Sequence, residues 1–194
     1  MNSPEQEYKK LYERMANLCD EQGWGDPFSY ARSKEIYAAI SLGHSVATTF
    51  SGADAINEDG EEVEYKSTTG KNCKGAYTGI SVQSTWAEQE RYLREEKIAK
   101  YPEHYYNRFE EGKLVESWKM KGVDVYNKLL PKLKKKFSTV LSKVTWKYRG
   151  QIIPTTKYMQ LDLHVKNIIK NEKQVVLTAD ANLWRENLRI YEIS

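Results

Sequence analysis

The chain has 194 residues, of which 40% are hydrophobic and 29% charged, a composition typical of one globular domain with a substantial core. The net charge of +3 is unevenly distributed, because residues 1–112 carry 13 Lys+Arg and 20 Asp+Glu whereas residues 113–194 carry 17 and 7; the basic part suits nucleic acid better than a membrane surface. No apolar run is long enough to span a bilayer, the polar N-terminus is not a signal peptide, and the cysteines (Cys19 and Cys73) indicate reduced thiols in a cytoplasmic protein.

A helix is predicted at the N-terminus. Ser3 is a good N-cap, Pro4 takes the first helical position, and Gln6 completes a capping box. Apolar residues recur at helical spacing from Tyr8 to Cys19, and Gly23 ends the helix.

A second helix precedes the first predicted strand. It begins at Asp26-Pro27 or at Ser33 and ends at Gly43. The residues we expect it to bury are Ile36, Ala39, Ile40 and Tyr37. A short strand follows over 44–50, where β-branched residues suit a pleated surface.

The stretch 51–67 predicts a β-hairpin around an Asp59-Gly60 turn. Glu64 and Lys66 lie two apart on one strand and therefore leave the same face. A tight two-residue loop would pair Asp54 with Tyr65 and send the two carboxylates to opposite faces. A three-residue loop pairs Asp54 with Glu64 and places Gly60 in the left-handed conformation. We prefer the second register because it gathers Asp54, Glu64 and Lys66 into one cluster.

This cluster suits metal-assisted chemistry. Two neighbouring carboxylates repel each other, and Mg²⁺ relieves the repulsion by accepting oxygen ligands from both. A nearby lysine orients or deprotonates an attacking water, or offsets the charge that builds on a phosphate. The alternative is a surface hairpin with solvated charges, because short motifs of common residues arise by chance.

The remaining elements are predicted in turn. A loop over 68–76 leads to a strand or groove-lining segment at 77–83, and a helix then runs from a capping box at Thr85 to about Lys100. A second hairpin pairs 104–109 with 113–120 around Glu111-Gly112 and extends the sheet. A helix over 123–137 is kinked or divided by Pro131. Strands are expected at 157–165 and 174–178, and either a helix or a strand at 181–193.

Three groups of residues are candidate DNA contacts. Each has a structural alternative: a mobile polar loop, lysines that complement a helix dipole, and a strand with alternating faces. The three groups are, in chain order, Lys71, Asn72, Lys74, Tyr77 and Thr78; Lys132, Lys134, Lys135 and Lys136; and Lys147 with Arg149.

The hairpin resembles a known nuclease signature. Gly52-Ala53-Asp54-Ala55, the Asp59-Gly60 turn and Glu64-Tyr65-Lys66-Ser67 are similar to the motif of the PD-(D/E)XK superfamily, and most to its type II restriction endonucleases. The resemblance covers about thirty residues, and Ala53 replaces the proline of the family name.

The resemblance implies a fold and an activity. The fold would be α/β, a restriction-endonuclease-like mixed central sheet of about five strands flanked by helices, in a single domain over 1–194 whose part from about 113 contacts DNA. The activity would be Mg²⁺-dependent, sequence-specific cleavage of double-stranded DNA by a homodimer in a prokaryotic or phage context. The alternatives are a structure-selective nuclease, such as a junction resolvase or phage nuclease, and a non-catalytic DNA-binding module.

The resemblance also implies roles for site residues. Asp54 and Glu64 would bind one or two Mg²⁺ ions, with the backbone carbonyl of Tyr65 as an additional ligand. Lys66 would position or activate the attacking water. Glu35, on the helix before the first strand, would be a further acidic residue of the site.

Overall fold

The computed structural model describes residues 3–48, 52–71, 73, 75–77, 80–83, 85–147, 163–164 and 190–192. Within these ranges the chain forms both helices and strands. In order they are α1 Pro4–Glu21, α2 Arg32–Leu42, β1 Ser45–Val46, β2 Ala55–Ile56, β3 Glu62–Thr68, β4 Ala76–Tyr77, α3 Trp86–Tyr92 with a π-helical turn at Leu93–Lys97, β5 Glu103–Glu110, β6 Lys113–Lys121, α4 Gly122–Lys147, β7 Leu163–His164 and β8 Ile190–Glu192.

A mixed sheet forms the centre of the fold. Its strand order is β1-β2-β3-β5-β6-β8, and β4 pairs separately with β7. β3 and β5 are parallel, whereas the other neighbours in the sheet are antiparallel. The predicted α/β class with a mixed sheet flanked by helices is therefore confirmed, with six strands in the described part of the chain instead of about five. The second hairpin, β5–β6, extends the sheet beyond β3 as expected.

The two faces of the sheet carry different cores. On one face α2 packs its small residues Ala38 and Ala39 against a cluster that includes Val63, Tyr65 and Tyr105. The opposite face packs a larger cluster against α3 and α4, whose members include Tyr77, Ile80, Leu93, Tyr106, Trp118, Leu129 and Leu133. Because side chains alternate along a strand, Glu64 and Lys66 project toward this second face.

The start of the chain folds largely as predicted. Ser3 caps α1, Gln6 completes the capping box, and Gly23 has a positive φ of 66° just after the helix. α2 begins at Arg32 and ends at Gly43, also with a positive φ of 73°.

The predicted burial of Tyr37 and Ile40 is wrong, since these side chains are exposed by 43% and 60%. The other side of α2 packs against the sheet, because Ala38 and Ala39 are fully buried.

α4 corrects the predicted effect of Pro131. The helix continues without a break from Gly122 to Lys147, with Pro131 inside it. Leu129, Leu133 and Phe137 lie on both sides of the proline and are all buried, so packing of this continuous stripe outweighs the one hydrogen bond that proline removes. Val123, near the start of α4, is 52% exposed.

Several predicted strands are shorter in the described residues. β1 covers only Ser45–Val46 of 44–50, and β4 covers Ala76–Tyr77 at the start of the predicted segment 77–83. Trp146 and Lys147 lie in α4, which corrects the alternative that placed them on a strand. In the tail, 163–164 within the predicted strand 157–165 is a strand, and 190–192 within the last predicted segment is a strand. The predicted strand at 174–178 and the rest of these two segments lie outside the described residues. No helix in the described part of the chain is both long enough and apolar enough to cross a membrane.

Candidate functional site

The hairpin adopts the register that gathers the three predicted residues. Ala55 pairs with Val63 and Ile56 with Glu62, which is the register of the three-residue loop, and the N–H of Asp54, just before β2, donates to the Val63 carbonyl at 3.0 Å. The loop closes with a hydrogen bond from the Gly60 N–H to the Asn57 carbonyl, 3.0 Å from N to O. Gly60 has a φ of 80° and is therefore left-handed, as the three-residue loop requires. The preferred register is confirmed.

Asp54, Glu64 and Lys66 form a partly buried charge cluster. The Lys66 ammonium donates to Oε1 of Glu64, and both side chains are less than one-fifth exposed. Oδ2 of Asp54 accepts the backbone N–H of Tyr65 at 2.7 Å, which fixes the carboxyl against β3. Glu35 acts electrostatically on Asp54 from α2 and is itself paired with Arg32 at 3.3 Å. The structure thus brings the four predicted acidic and basic residues into one neighbourhood.

The Asp54 carboxyl holds its proton to unusually high pH. Burial, followed by the negative charges of Glu64 and Glu35, raises the pKa of Asp54 from 3.8 to about 7. Lys66 and the Tyr65 N–H oppose this rise without cancelling it. At neutral pH the cluster therefore contains a carboxyl group that can both give and accept a proton, beside a Glu64 carboxylate paired with lysine.

This pKa predicts how stability depends on pH. Between pH 3.8 and about 7 the folded state binds a proton at Asp54 that the unfolded state has released, so the free energy of unfolding should fall as the pH rises through this window. Asp54→Asn removes the titrating group and should flatten that part of the curve. Urea unfolding at several pH values measures the difference between the two slopes. Equal slopes for the wild type and the variant would contradict a raised pKa at Asp54.

Lys66 is held in place by a close crossing of the segment at Gly75. A Cβ at Gly75 would lie 2.6 Å from Cβ of Lys66 and 2.6 Å from Cε1 of Tyr106. The Lys66 ammonium also lies 4.9 Å from the centre of the Tyr77 ring. Gly75 and Tyr77 therefore confine the lysine from the side opposite β3.

A buried chain of hydrogen bonds supports Tyr77. Its hydroxyl lies 2.6 Å from Nδ1 of His104 and 2.7 Å from the hydroxyl of Tyr106. Nε2 of His104 lies 2.7 Å from the carbonyl of Ile98, which must accept, so Nε2 carries the proton and Nδ1 accepts from Tyr77. Burial lowers the pKa of His104 to about 4, which keeps the imidazole neutral.

Gly75→Ala should disturb the site without changing any charged group. The added methyl group has no room beside Lys66 and Tyr106, so either the lysine or the crossing segment must move. We expect the free energy of unfolding to fall by about 1–3 kcal/mol. Urea unfolding measures this loss. A Gly75→Ala protein as stable as the wild type would contradict the close crossing.

The structure describes some of the predicted DNA contacts. Tyr77 is 6% exposed and its hydroxyl is used inside the core, so its prediction as a surface contact is wrong. Lys71 is exposed, whereas Asn72, Lys74 and Thr78 lie outside the described residues. Lys132, Lys134, Lys135 and Lys136 occupy the exposed side of α4. Lys147 is in α4, and Arg149 lies outside the described residues.

The sequence prediction missed the groups that support the lysine. Gly75, His104 and Tyr106 were not identified as parts of a site, and Tyr77 was identified for a different role. The alternation along β5 was the available signal, because it puts His104 and Tyr106 on the same face. Their meeting with Tyr77 depends on the path of 69–76, which local patterns do not specify.

As a metal centre, the cluster offers two carboxylates. Among the described residues there is no group of three or more His, Cys, Asp or Glu side chains arranged to hold a metal ion. Mg²⁺ is commonly held by one or two carboxylates and several waters, so Asp54 and Glu64 fit that pattern. The Tyr65 carbonyl as a further ligand stays a prediction.

One more strand approaches the cluster from the C-terminal part of the chain. β7 pairs antiparallel with β4, which sets His164 opposite Ala76 and Leu163 opposite Tyr77. Residues beyond 117 therefore reach the segment that crosses Lys66. His164 is also the one histidine in 117–194.

Comparison with known proteins finds two similarities. Residues 117–194 match the model of the FabA-like domain family. A 52-residue stretch is 40% identical to part of a polyunsaturated fatty acid synthase from Thraustochytrium sp. (strain ATCC 26185 / S-3). That stretch is 27% of this chain and 4% of the relative, so the chain spans a small fraction of the protein it matches.

These findings overturn the nuclease interpretation. The chain is similar to a FabA-like domain and to part of a polyunsaturated fatty acid synthase, and neither of these is a nuclease. The identification as a type II restriction endonuclease with a restriction-endonuclease-like fold is therefore wrong. The predicted cleavage of DNA and the alternative of a structure-selective nuclease are wrong as well. The hairpin motif misled because three common residues around a tight turn suit proton transfer as well as metal-assisted hydrolysis.

Proposed function

We propose that the chain acts on acyl thioesters in fatty acid biosynthesis, as a dehydratase or double-bond isomerase, with the Asp54–Glu64–Lys66 cluster as its acid–base site. The FabA-like match over 117–194 is the observation that carries the reaction class. The raised pKa of Asp54, to about 7, supports the choice of site.

Dehydration of a 3-hydroxyacyl thioester needs an acid and a base together. The base removes a proton from the carbon next to the thioester carbonyl, and the acid protonates the hydroxyl that leaves as water. A protonated carboxyl group and a carboxylate side by side can supply both functions. In this proposal Asp54 is the acid, and Glu64, paired with the Lys66 ammonium, is the base.

Lys66 has a second role in the proposed reaction. Loss of the proton places negative charge on the thioester oxygen, and a fixed ammonium group stabilises that charge. Gly75 and Tyr77 hold the lysine so that it need not reorganise during the reaction. Isomerisation uses the same groups, because a proton is removed from one carbon of the acyl chain and returned to another.

The matched segment and the cluster belong to one body of structure. β6 pairs with β5, which carries His104 and Tyr106, and Leu129 and Leu133 of α4 belong to the same core cluster as Tyr77. β7 brings His164 to the strand beside Tyr77. These contacts support a shared function for the N-terminal hairpin and the FabA-like segment.

A direct assay tests the proposal. The full chain is incubated with 3-hydroxyacyl thioesters of short and medium length, and formation of the α,β-unsaturated thioester is followed by its ultraviolet absorbance. We expect product with a chelator present and no metal ion added. A chain that gives no product with any of these thioesters, in either direction of the reaction, would contradict the proposal.

The predicted magnesium ion remains a separate proposal. Asp54 and Glu64 would hold it together with waters, and the ion would replace the proton that now offsets their repulsion. Calorimetric titration with MgCl₂ tests this: binding should release protons near pH 7 and be lost in Glu64→Gln. Heats of dilution alone from the wild type would exclude it. Double-stranded DNA as a partner stays a prediction.

A further inference from the structure

Two buried polar side chains adjoin the charge cluster and take no direct part in the proposed reaction. They are His104 and Tyr106, both fully buried. In the parallel pairing of β3 with β5, His104 is the partner of Glu64 and Tyr106 is the partner of Lys66. Paired residues of neighbouring strands leave the same face of a sheet, so both groups lie next to the charged pair. A histidine in the core needs partners for both ring nitrogens, and these partners indicate its role.

The hydrogen bonds of His104 run in one direction only. Burial lowers the pKa of His104 to about 4, so the ring is neutral at pH 7. Nε2 donates to the Ile98 carbonyl at 2.7 Å, and Nδ1 therefore accepts from the Tyr77 hydroxyl at 2.6 Å. That hydroxyl has no second proton, so the Tyr106 hydroxyl donates to its oxygen at 2.7 Å. Every proton in this chain of hydrogen bonds therefore has one place.

One end of the chain of hydrogen bonds is fixed by a helix end. Leu93–Lys97 forms a π-helical turn, which closes with a hydrogen bond from the Ile98 N–H to the Leu93 carbonyl at 2.7 Å. Ile98 caps this turn, so its own carbonyl is one of those that a helix leaves for an outside partner. Leu93 and Ile98 are buried in the core. The carbonyl that accepts from His104 is therefore held in a set position.

The other part of the chain of hydrogen bonds reaches the cluster through the Tyr77 ring. The Lys66 ammonium lies 4.9 Å from the centre of this ring. Donation to His104 holds the far end of the Tyr77 side chain and makes the ring more electron-rich, which strengthens its attraction for a cation. The chain cannot deliver a proton to the reaction, because it ends at a backbone carbonyl. Its effect on Lys66 is therefore one of position.

We propose that His104 is a positioning residue for Lys66, acting through Tyr77. It fixes the Tyr77 ring against the ammonium, so that Lys66 stays beside Glu64, where the proposed reaction needs a fixed positive charge. The effect of His104 on the rate rests on the proposed function. The restriction of Lys66 does not, because it belongs to the protein without substrate.

Nuclear magnetic resonance of the full chain tests this arrangement without any substrate. In the wild type, nitrogen spectra should show His104 with a protonated Nε2 and an unprotonated Nδ1 at neutral pH. Carbon relaxation at Cε should show that the Lys66 side chain is more restricted than that of Lys71, which is exposed. The opposite tautomer of His104, or a Lys66 side chain as mobile as Lys71, would overturn the proposal.

Two tyrosine variants identify the link that restricts the lysine. Tyr77→Phe keeps the ring and removes its hydrogen bond to His104, so Lys66 should become more mobile. Tyr106→Phe is the matched control, because it removes a buried hydroxyl from the same chain of hydrogen bonds but leaves the link between Tyr77 and His104. Its effect on Lys66 should be smaller, and circular dichroism should show the wild-type fold for both. A larger effect of Tyr106→Phe would overturn the proposal.

Rates on a 3-hydroxyacyl thioester give the second readout. His104→Phe should lower kcat about 10-fold to 100-fold with little change in KM, since misplacing a group that acts in the transition state costs rate rather than binding. His104→Gln, which retains one acceptor and one donor, should recover most of this loss. A residue that only filled the core would be replaced better by phenylalanine, so His104→Phe at least as active as His104→Gln would overturn the proposal. An inactive wild type would contradict the proposed function alone, and the relaxation of Lys66 would then decide the role of His104.

Discussion

Asp54→Asn is expected to reduce dehydration of a 3-hydroxyacyl thioester by about 100-fold to 10,000-fold, the usual contribution of a positioned acid or base. The amide matches the carboxyl in shape, but it cannot give a proton to the leaving hydroxyl. The loss should appear in kcat rather than KM, because the proton is transferred only in the transition state. Initial rates at saturating thioester measure it.

Asp59→Asn provides the control for this substitution. Asp59 is in the same hairpin, it is exposed, and it lies in the loop rather than on the strands that form the cluster. The same chemical change there should leave the rate within about twofold of the wild type, as for surface sites remote from the chemistry. Equal losses in the two variants would show that the hairpin, and not the Asp54 carboxyl, limits the activity.

Gly122→Ala is expected to destabilise the protein more than alanine at any other glycine in the described part of the chain. A Cβ at Gly122 would lie 1.9 Å from the backbone carbonyl oxygen of Tyr101 and 3.2 Å from Cδ2 of His104. The Gly122 N–H donates to the Pro102 carbonyl at 2.8 Å, so the backbone cannot retreat without losing this bond. The free energy of unfolding should fall by about 3 kcal/mol, the upper part of the range for overpacking.

Gly112→Ala separates this clash from the general effect of replacing a glycine. Gly112 has a φ of 79°, but nothing lies within 4 Å of its Cβ, so the expected cost is the left-handed conformation alone, about 1–2 kcal/mol. Urea unfolding of both variants gives the comparison. A Gly122→Ala protein as stable as Gly112→Ala would show that the start of α4 does not pack against 101–104 as described.

Helix ends and the hairpin loop could be predicted from the sequence, because they depend on interactions within a few residues. The capping box at Ser3 and the glycine at the end of α2 specify helix ends through hydrogen bonds and a positive φ within a few residues. Gly60 in turn selects the β2–β3 register, and Asp54 lies next to β3, where its carboxyl accepts the Tyr65 N–H. The approach of Asp54 to Glu64 could therefore be predicted because it depends on one short loop.

Long-range packing decided the features that the sequence did not predict. Pro131 stays inside α4 because residues on both sides of it are buried against the same core. The support of Lys66 by Tyr77, His104 and Tyr106 joins residues up to 40 positions apart through a loop whose path has no local signature. The reaction class was mistaken for a further reason: a carboxylate pair with a lysine is compatible with several chemistries, and the motif does not distinguish them.

Incorporation of oxygen from water tests the central claim most directly. An α,β-unsaturated acyl thioester is incubated with the full chain in water enriched in heavy oxygen, and the product is analysed by mass spectrometry. The wild type should place labelled oxygen on the β-carbon, Asp59→Asn should do the same, and Asp54→Asn should leave the thioester unlabelled. A wild-type protein that incorporates no label, or an Asp54→Asn protein that labels at the wild-type rate, would contradict an acid–base site for acyl thioesters at Asp54, Glu64 and Lys66.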